Sequence, residues 1–166
     1  MSELRELLGL RKVRAVADYQ FGRGVGVQLF PDGVELTFSP RTGRVRHVYL
    51  EGRLLATVRP SDGLLALAID GARRLLKHLP PPKMRVIVER GQLLVAEGRD
   101  VKARWVKYAD PDIRPGDEVL VVDAADRLLA VGKAVLSGVE MLSFKVGLAV
   151  KVRRGVGREE AEPKGS

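Results

Sequence analysis

The stretch DPDIRPGDEVLVVD, residues 110 to 123, sets turn chemistry directly against a strand. Asp110-Pro111 and Arg114-Pro115-Gly116 are turn signals, because proline presets φ and glycine accepts backbone conformations that other residues avoid. The run that follows, Glu118 to Asp123, is rich in β-branched residues and reads as a strand. Downstream lie LLAVGKAVL (128 to 136) and GLAVKVRR (147 to 154), two more strands, interrupted by one helical turn, VEMLSFK (139 to 145). Upstream lie MRVIVE (84 to 89) and VKARWVKY (101 to 108), each read as a single strand. Five or six short strands with few helices imply a small closed or nearly closed barrel, which removes exposed strand edges.

Pro80-Pro81-Pro82 cannot continue a helix and marks the domain boundary. Before it, DGARRLLKHL (70 to 79) reads as a helix with Asp70 as its cap. VELTFS (34 to 39), VRHVYL (45 to 50), RLLATVR (53 to 59) and LLALAI (64 to 69) are β-rich runs joined by turn residues, the pattern of an antiparallel meander. Residues 2 to 20 carry Leu4, Leu7, Leu8, Val13, Val16 and Ala17 at helical spacing. The stretch DYQFGRGVG (18 to 26) follows that helix with glycines at 22, 24 and 26. It fits neither G-x-G-x-x-G nor G-x-x-x-x-G-K-[ST], and glycines after a helix C-terminus mark a break more often than a phosphate cradle. The domain limits are therefore read as 1–82 and 83–156, with GREEAEPKGS (157 to 166) expected to be a disordered tail.

The chain has 166 residues and 45 % hydrophobic content, enough for packed cores. No apolar run is long enough to span a bilayer and no cleavable leader is evident, so a cytoplasmic protein is expected. Without cysteine there is no disulfide framework and no thiolate metal site, and the two histidines, His47 and His78, cannot complete a zinc shell. Neither a metal nor a cofactor is expected. The absence of asparagine and the presence of only three glutamines fit a thermophile. A net charge of +8 favours a polyanionic partner. The surplus is +6 in residues 1–83, from 14 Lys/Arg against 8 Asp/Glu, and +3 in residues 84–156, from 13 against 10.

GRDVKARWV (98 to 106), DPDIRPGDEVLVVD, LLAVGKAVLS (128 to 137), EM-x-x-F-K-x-G (140 to 147) and AVKVRRG (149 to 155), in that order, resemble a PUA domain, a small RNA-binding barrel. RAVADYQFG (14 to 22), LFP (29 to 31), S-x-R-T-G-R-V-R-x-V (39 to 48), LAT-x-R-x-x-DG (55 to 63) and GA-x-x-L (71 to 75) resemble the domain that precedes PUA in archaeosine tRNA-guanine transglycosylases and their archaeosine synthase paralogues. The resemblance implies an α+β fold: an N-terminal helix on a curved four-stranded antiparallel sheet, cystatin-like, followed by a PUA β-barrel. It departs from the family at Lys102, where an aromatic or apolar residue is expected. It also lacks the catalytic barrel of about 250 residues and the cysteine-bound zinc.

What the resemblance implies is a non-catalytic RNA-binding protein: a tRNA-binding module or subunit associated with archaeosine tRNA modification, either the separately encoded partner of a transglycosylase catalytic subunit or a free-standing relative of it. A general PUA-type adaptor in ribosome assembly or translation is the alternative. In PUA domains the surface near strand 101–108 and the last strand faces RNA, which singles out Arg99, Lys102, Arg104, Lys107, Tyr108, Lys151, Arg153 and Arg154. On one continuous strand, Lys102, Arg104 and Tyr108 share a face and Trp105 and Lys107 the other. A solvated basic strand with Trp105 as core is the competing reading. In the first domain, Arg41, Arg44, Arg46 and Arg53 cluster around a hairpin and suit a phosphate backbone; equally, Arg46 could pair with Glu35 or Glu51. The acids Asp18, Asp117, Glu118 and Glu140 have no adjacent base or nucleophile, and turn or cap roles fit each better.

Overall fold

A computed structural model describes residues 2–157, so apart from Gly157 the expected tail lies outside the described residues. The chain forms two compact units that meet in sequence at His78 and Leu79.

In the first unit, α1 (Ser2–Phe21) and α2 (Val25–Leu29) are followed by β1 (Glu35–Phe38), β2 (Val45–Leu50), β3 (Arg53–Val58), β4 (Leu65–Leu67) and α3 (Ile69–His78). The strands pair in sequence order, all antiparallel. Val13, Ala17 and Phe21, one helical stripe of α1, are buried with Val48, Leu55, Leu65 and Leu67 of the sheet and with Ile69, Ala72 and Leu75 of α3. Gln20 locks α1 to β4: its amide donates to the Leu65 carbonyl and accepts from the Leu65 N–H, both at 2.9 Å.

The glycine stretch ends α1, with Gly22 at φ 130° and Gly24 at φ 85°. The short helix α2 begins within that stretch, at Val25, and was not legible in the sequence. Its Gly26 N–H donates to Asp18 Oδ1 at 2.6 Å, and the Arg74 guanidinium donates to the carbonyls of Gln28 and Leu29 at its other end. The N–H groups of Gly22, Val25 and Gly26 are thus engaged inside the fold. Asp70 is not the cap of α3. The Ala68 carbonyl takes the first helical bond, from Ala72, and Asp70 lies in the first turn, where it accepts from Arg53 at 2.6 Å.

The second unit contains β5 (Arg85–Val88), α4 (Gln92–Ala96), β6 (Val101–Lys102), a 3₁₀ turn (Ala103–Trp105), β7 (Val106–Ala109), β8 (Glu118–Val122), β9 (Leu128–Ala134), α5 (Gly138–Ser143) and β10 (Leu148–Gly155). Its six-stranded sheet runs β6-β10-β9-β8-β5-β7, with β5 and β8 parallel and the other pairs antiparallel. All five residues of β8 are buried, as expected of a strand covered on both faces. α5 starts with a capping box: Ser137 Oγ accepts from the Glu140 N–H at 3.1 Å and Glu140 Oε1 from the Ser137 N–H at 2.9 Å.

One sequence reading is corrected here. Residues 101–108 are not one strand. The 3₁₀ turn splits them into β6 and β7, which lie at the two ends of the strand order. Because only three residues join them, the two ends of the sheet are drawn together, and the barrel is nearly closed at this turn. The alternation assigned to Lys102, Arg104, Trp105 and Tyr108 therefore does not hold. The architecture as a whole, a helix on a four-stranded antiparallel sheet followed by a small barrel, agrees with the sequence reading.

Candidate nucleic-acid interface

The closing turn is held from three sides. The Ala103 N–H donates to the Gly147 carbonyl at 2.9 Å, the Glu89 N–H to the Trp105 carbonyl at 2.9 Å, and the Arg90 guanidinium to the Arg104 carbonyl at 2.8 Å. Trp105 is 9 % exposed and lies over Gly91, while Lys102 Nζ sits 5.3 Å from its ring centroid. This contact is a cation–π arrangement that leaves the ammonium at the surface. Arg90, Lys102 and Arg104 are all exposed around a rigid turn. In register, Lys102 faces Leu148 of β10. Phe144, Val146 and Leu148, 45 %, 85 % and 42 % exposed, extend the same border. Cations beside exposed apolar side chains suit phosphate contact together with base stacking.

Along the sheet from this turn, Lys151 of β10 lies directly opposite Lys133 of β9. Like charges facing across two strands destabilise a sheet unless an anion or solvent screens them. Arg99 precedes Asp100, whose Oδ1 accepts from the Val152 N–H at 2.9 Å, so Arg99 is carried beside β10. No ion pair to Arg99, Lys102, Arg104, Lys107 or Lys151 occurs among the described residues. Arg153 differs: it forms a fork with Glu118 at 2.8 and 2.6 Å, and the Glu118 side chain is 1 % exposed. Arg154 is exposed on the same strand. Lys107 and Tyr108 lie on β7, at the other end of the strand order, both exposed.

The hairpin arginines of the first unit divide similarly. Arg41 and Arg44 are exposed at the β1–β2 turn, where the Ser39 N–H bonds to the Arg44 carbonyl. Arg53 follows the β2–β3 turn and faces Leu50, the last residue of β2. The six residues of β2 separate these turns, about 20 Å at strand rise. Arg53 is also paired with Asp70. It does not join the cluster. The register sets Tyr49, not Arg46, opposite Glu35, and no ion pair between Arg46 and Glu35 or Glu51 occurs among the described residues. His47 of β2 shares a hydrogen bond with Thr37 Oγ1 at 3.0 Å. Burial of its ring and then the Arg46 charge hold its pKa below the ordinary 6.5.

Of the acids expected in turn or cap roles, Asp117 and Glu140 have them, Asp18 bonds the N-terminal turn of α2, and Glu118 differs, since it is a buried strand residue paired with Arg153. Asp117 accepts from the Arg114 N–H at 2.9 Å. No group of three metal-binding side chains occurs among the described residues, and no helix there is long and apolar enough to cross a membrane. Sequence reasoning missed Arg90 and Lys133. Lys133 alternates with buried neighbours on a readable strand, but Arg90 is linked to the interface only by its reach to the Arg104 carbonyl, which local pattern does not encode.

This architecture defines a PUA barrel preceded by an α+β domain, and comparison with known families gives the same pair. Residues 11–82 match the patch-forming domain C2 of tRNA-guanine transglycosylase and residues 84–156 match the PUA domain. A PUA domain protein of Thermoplasma acidophilum superposes with TM-score 0.61 over 92 % of this chain and 93 % of that one, at 22 % identity. The chain is 51 % identical over 148 residues to the tRNA-guanine(15) transglycosylase of Pyrococcus abyssi and 52 % identical over 146 residues to that of Thermococcus kodakarensis. These alignments cover 89 % and 87 % of this chain, which spans about a quarter (25 %) of the length of each relative. The chain thus joins a patch-forming C2 domain of tRNA-guanine transglycosylase to a PUA domain, and over both it is similar to the C-terminal module of archaeosine tRNA-guanine transglycosylases.

Proposed function

We propose that this chain is a non-catalytic tRNA-binding module that serves archaeosine formation, delivering tRNA to a separately encoded transglycosylase catalytic subunit. The carrying observation is identity near one half, across both units, to proteins named tRNA-guanine(15) transglycosylases. The exposed cations give the reading a mechanism. Lys102, Arg104 and Arg99 at the closing turn, with the Lys133–Lys151 pair, neutralise phosphates along one strand of RNA. Trp105 holds Lys102 in place, and Phe144 and Val146 offer apolar surface to unstacked bases. Lys107, Tyr108 and Arg154 extend that surface, while Arg41, Arg44 and Arg46 supply backbone contacts from the first unit. Arg153 and Arg53 serve the fold through their carboxylate partners.

Phosphate neutralisation releases counterions, so tRNA affinity falls with salt, each lost contact lowering the log–log slope by roughly 0.7 to 0.9. Replacing Lys102 and Arg104 together by alanine should weaken tRNA binding and reduce that slope by about one to two contacts, with the thermal midpoint unchanged because exposed charges contribute little to stability. Fluorescence titration of tRNA at several salt concentrations measures both. Removal of the 3′ terminal nucleotides should also weaken binding. Equal affinity for intact tRNA, truncated tRNA and an unrelated hairpin would favour the general-adaptor reading instead.

A further inference from the structure

The N-terminal half of α1 sorts its charges between two grooves. Glu3 and Glu6 line one of them with Glu35 of β1, beside Leu7 and Leu10. Arg5 and Lys12 line the other, together with residues of the β1–β2 and β3–β4 turns. In an antiparallel meander these two turns fall at the same end of the sheet, so this groove runs between that end and the helix. Its volume is about 830 Å³, within the range of small-molecule sites. Its walls are aliphatic: Leu4, Leu8 and Val16 from α1, and Val45, Val58 and Leu65 from the sheet. Leu4 and Leu8 are 55 % and 53 % exposed, which leaves the groove accessible. From Leu4 to Val16 the helix lines it for about 18 Å at 1.5 Å per residue, a length that suits an extended chain.

The cations gather at one end. Arg5 lies 3.9 Å over the Phe38 ring, Phe38 faces Val45 in register, and Arg44 precedes Val45. Both arginines therefore stand at the β1–β2 turn. Lys12 follows Arg5 two helical turns later on the same face. All three are exposed, and no ion pair to any of them occurs among the described residues. The acid in the lining, Asp62, is already engaged: Arg59 pairs with it at 3.0 Å, and it accepts from the Leu64 N–H at 2.9 Å. The groove thus combines a long apolar wall with positive charge that nothing in its lining opposes. A nucleobase suits it poorly, because the aromatic ring in the lining, Phe38, is already covered by the Arg5 guanidinium and the remaining walls offer no ring to stack on. An aliphatic tail with an anionic head matches both features, since guanidinium groups bind phosphate and carboxylate through paired N–H donors.

We infer that this groove binds a free single-chain amphiphile, its aliphatic tail lying along α1 and its phosphate or carboxylate head held by Arg5 and Arg44. The site is independent of the RNA-binding reading. Arg44 is also among the RNA contacts, so the substitutions that test the groove are made at Arg5 and Lys12.

Isothermal titration of the full chain with decyl phosphate, kept below its micelle concentration, tests it. Binding should saturate at one equivalent. Decanol, which lacks the head, and inorganic phosphate, which lacks the tail, should each bind at least about tenfold more weakly. Arg5→Glu should weaken decyl phosphate binding by about tenfold and Lys12→Glu by less, with tRNA affinity unchanged in both. Amide shifts on titration should centre on Leu8, Val45 and Leu65. Circular dichroism checks that α1 remains helical, and the comparison of decyl phosphate with decanol on the wild-type chain carries the test if a variant unfolds. Absence of saturation, equal affinity for decanol, indifference to both substitutions, or shifts centred on Phe144 and Val146 would overturn the proposal. So would association with phosphatidylglycerol vesicles without binding of monomeric decyl phosphate, which would make the groove a membrane contact. Loss of tRNA affinity in Arg5→Glu and Lys12→Glu, with no binding of decyl phosphate, would give the groove to RNA instead.

Discussion

Gly91 lies under the only tryptophan of the chain, at φ 74°. A Cβ there would stand 2.7 Å from the Trp105 ring, closer than any relaxed contact, in a backbone conformation that side chains rarely adopt. Gly91→Ala should therefore destabilise the second unit by about 1–3 kcal/mol. It should also shift Trp105 emission to the red as the ring is pushed toward water. Thermal unfolding and a single-tryptophan spectrum measure the two effects together, and an unchanged pair would mean that the turn can give way. Because Lys102 rests over the same ring, the substitution should weaken RNA binding as well.

Between strands, the Glu118–Arg153 fork ties β8 to β10 across β9. Glu118 is buried and Arg153 reaches it from the surface, so truncation of the arginine removes a two-pronged charged hydrogen bond from a carboxylate that water reaches poorly. Arg153→Ala should cost about 1–3 kcal/mol in the thermal unfolding of the chain, whereas Lys151→Ala, on the same strand, should cost little and weaken RNA binding instead. Equal stability of the two variants would return Arg153 to the binding surface. On the β1–β2 pair, the lowered pKa of His47 has a definite sign. The unfolded chain takes up the proton first on acidification, so stability is fully present above about pH 6.5 and falls as pH drops through that value toward the folded pKa. His47→Gln should flatten the loss in thermal midpoint between about pH 7 and 5; a profile identical to wild type would assign that loss to other groups.

At the scale of the whole molecule, Asp18, Asp117, Glu118 and Glu140 are engaged by backbone groups or Arg153, and among the described residues no nucleophile–base hydrogen bond stands beside them. The chain alone should exchange no base when incubated with unmodified tRNA and labelled guanine; incorporation above background would show that it carries chemistry of its own. Much of this organisation was legible in the sequence. The helix over 2–20, the four-strand meander and the strands at 118–123 and 128–136 are local patterns in which each residue's preference agrees with its neighbours'. The short helices α2 and α4 were not legible, because five residues are too few to show a helical period. Nor was the division of residues 101–108: VKARWVKY has strand composition throughout, and its 3₁₀ turn is imposed by bonds to Glu89, Arg90 and Gly147, residues distant in sequence. The basic residue types were readable, but not which of them are free to bind. Arg53 and Arg153 are withdrawn by Asp70 and Glu118, and Arg90 is brought in by the Arg104 carbonyl. By itself the sequence determined the long helices, most of the strands, the pairing of neighbouring strands in the first unit and the excess of cations, since these depend on residues close along the chain. Only the tertiary structure decided which cations share a surface, because closure of the barrel and burial of a few carboxylates join residues that no local period relates.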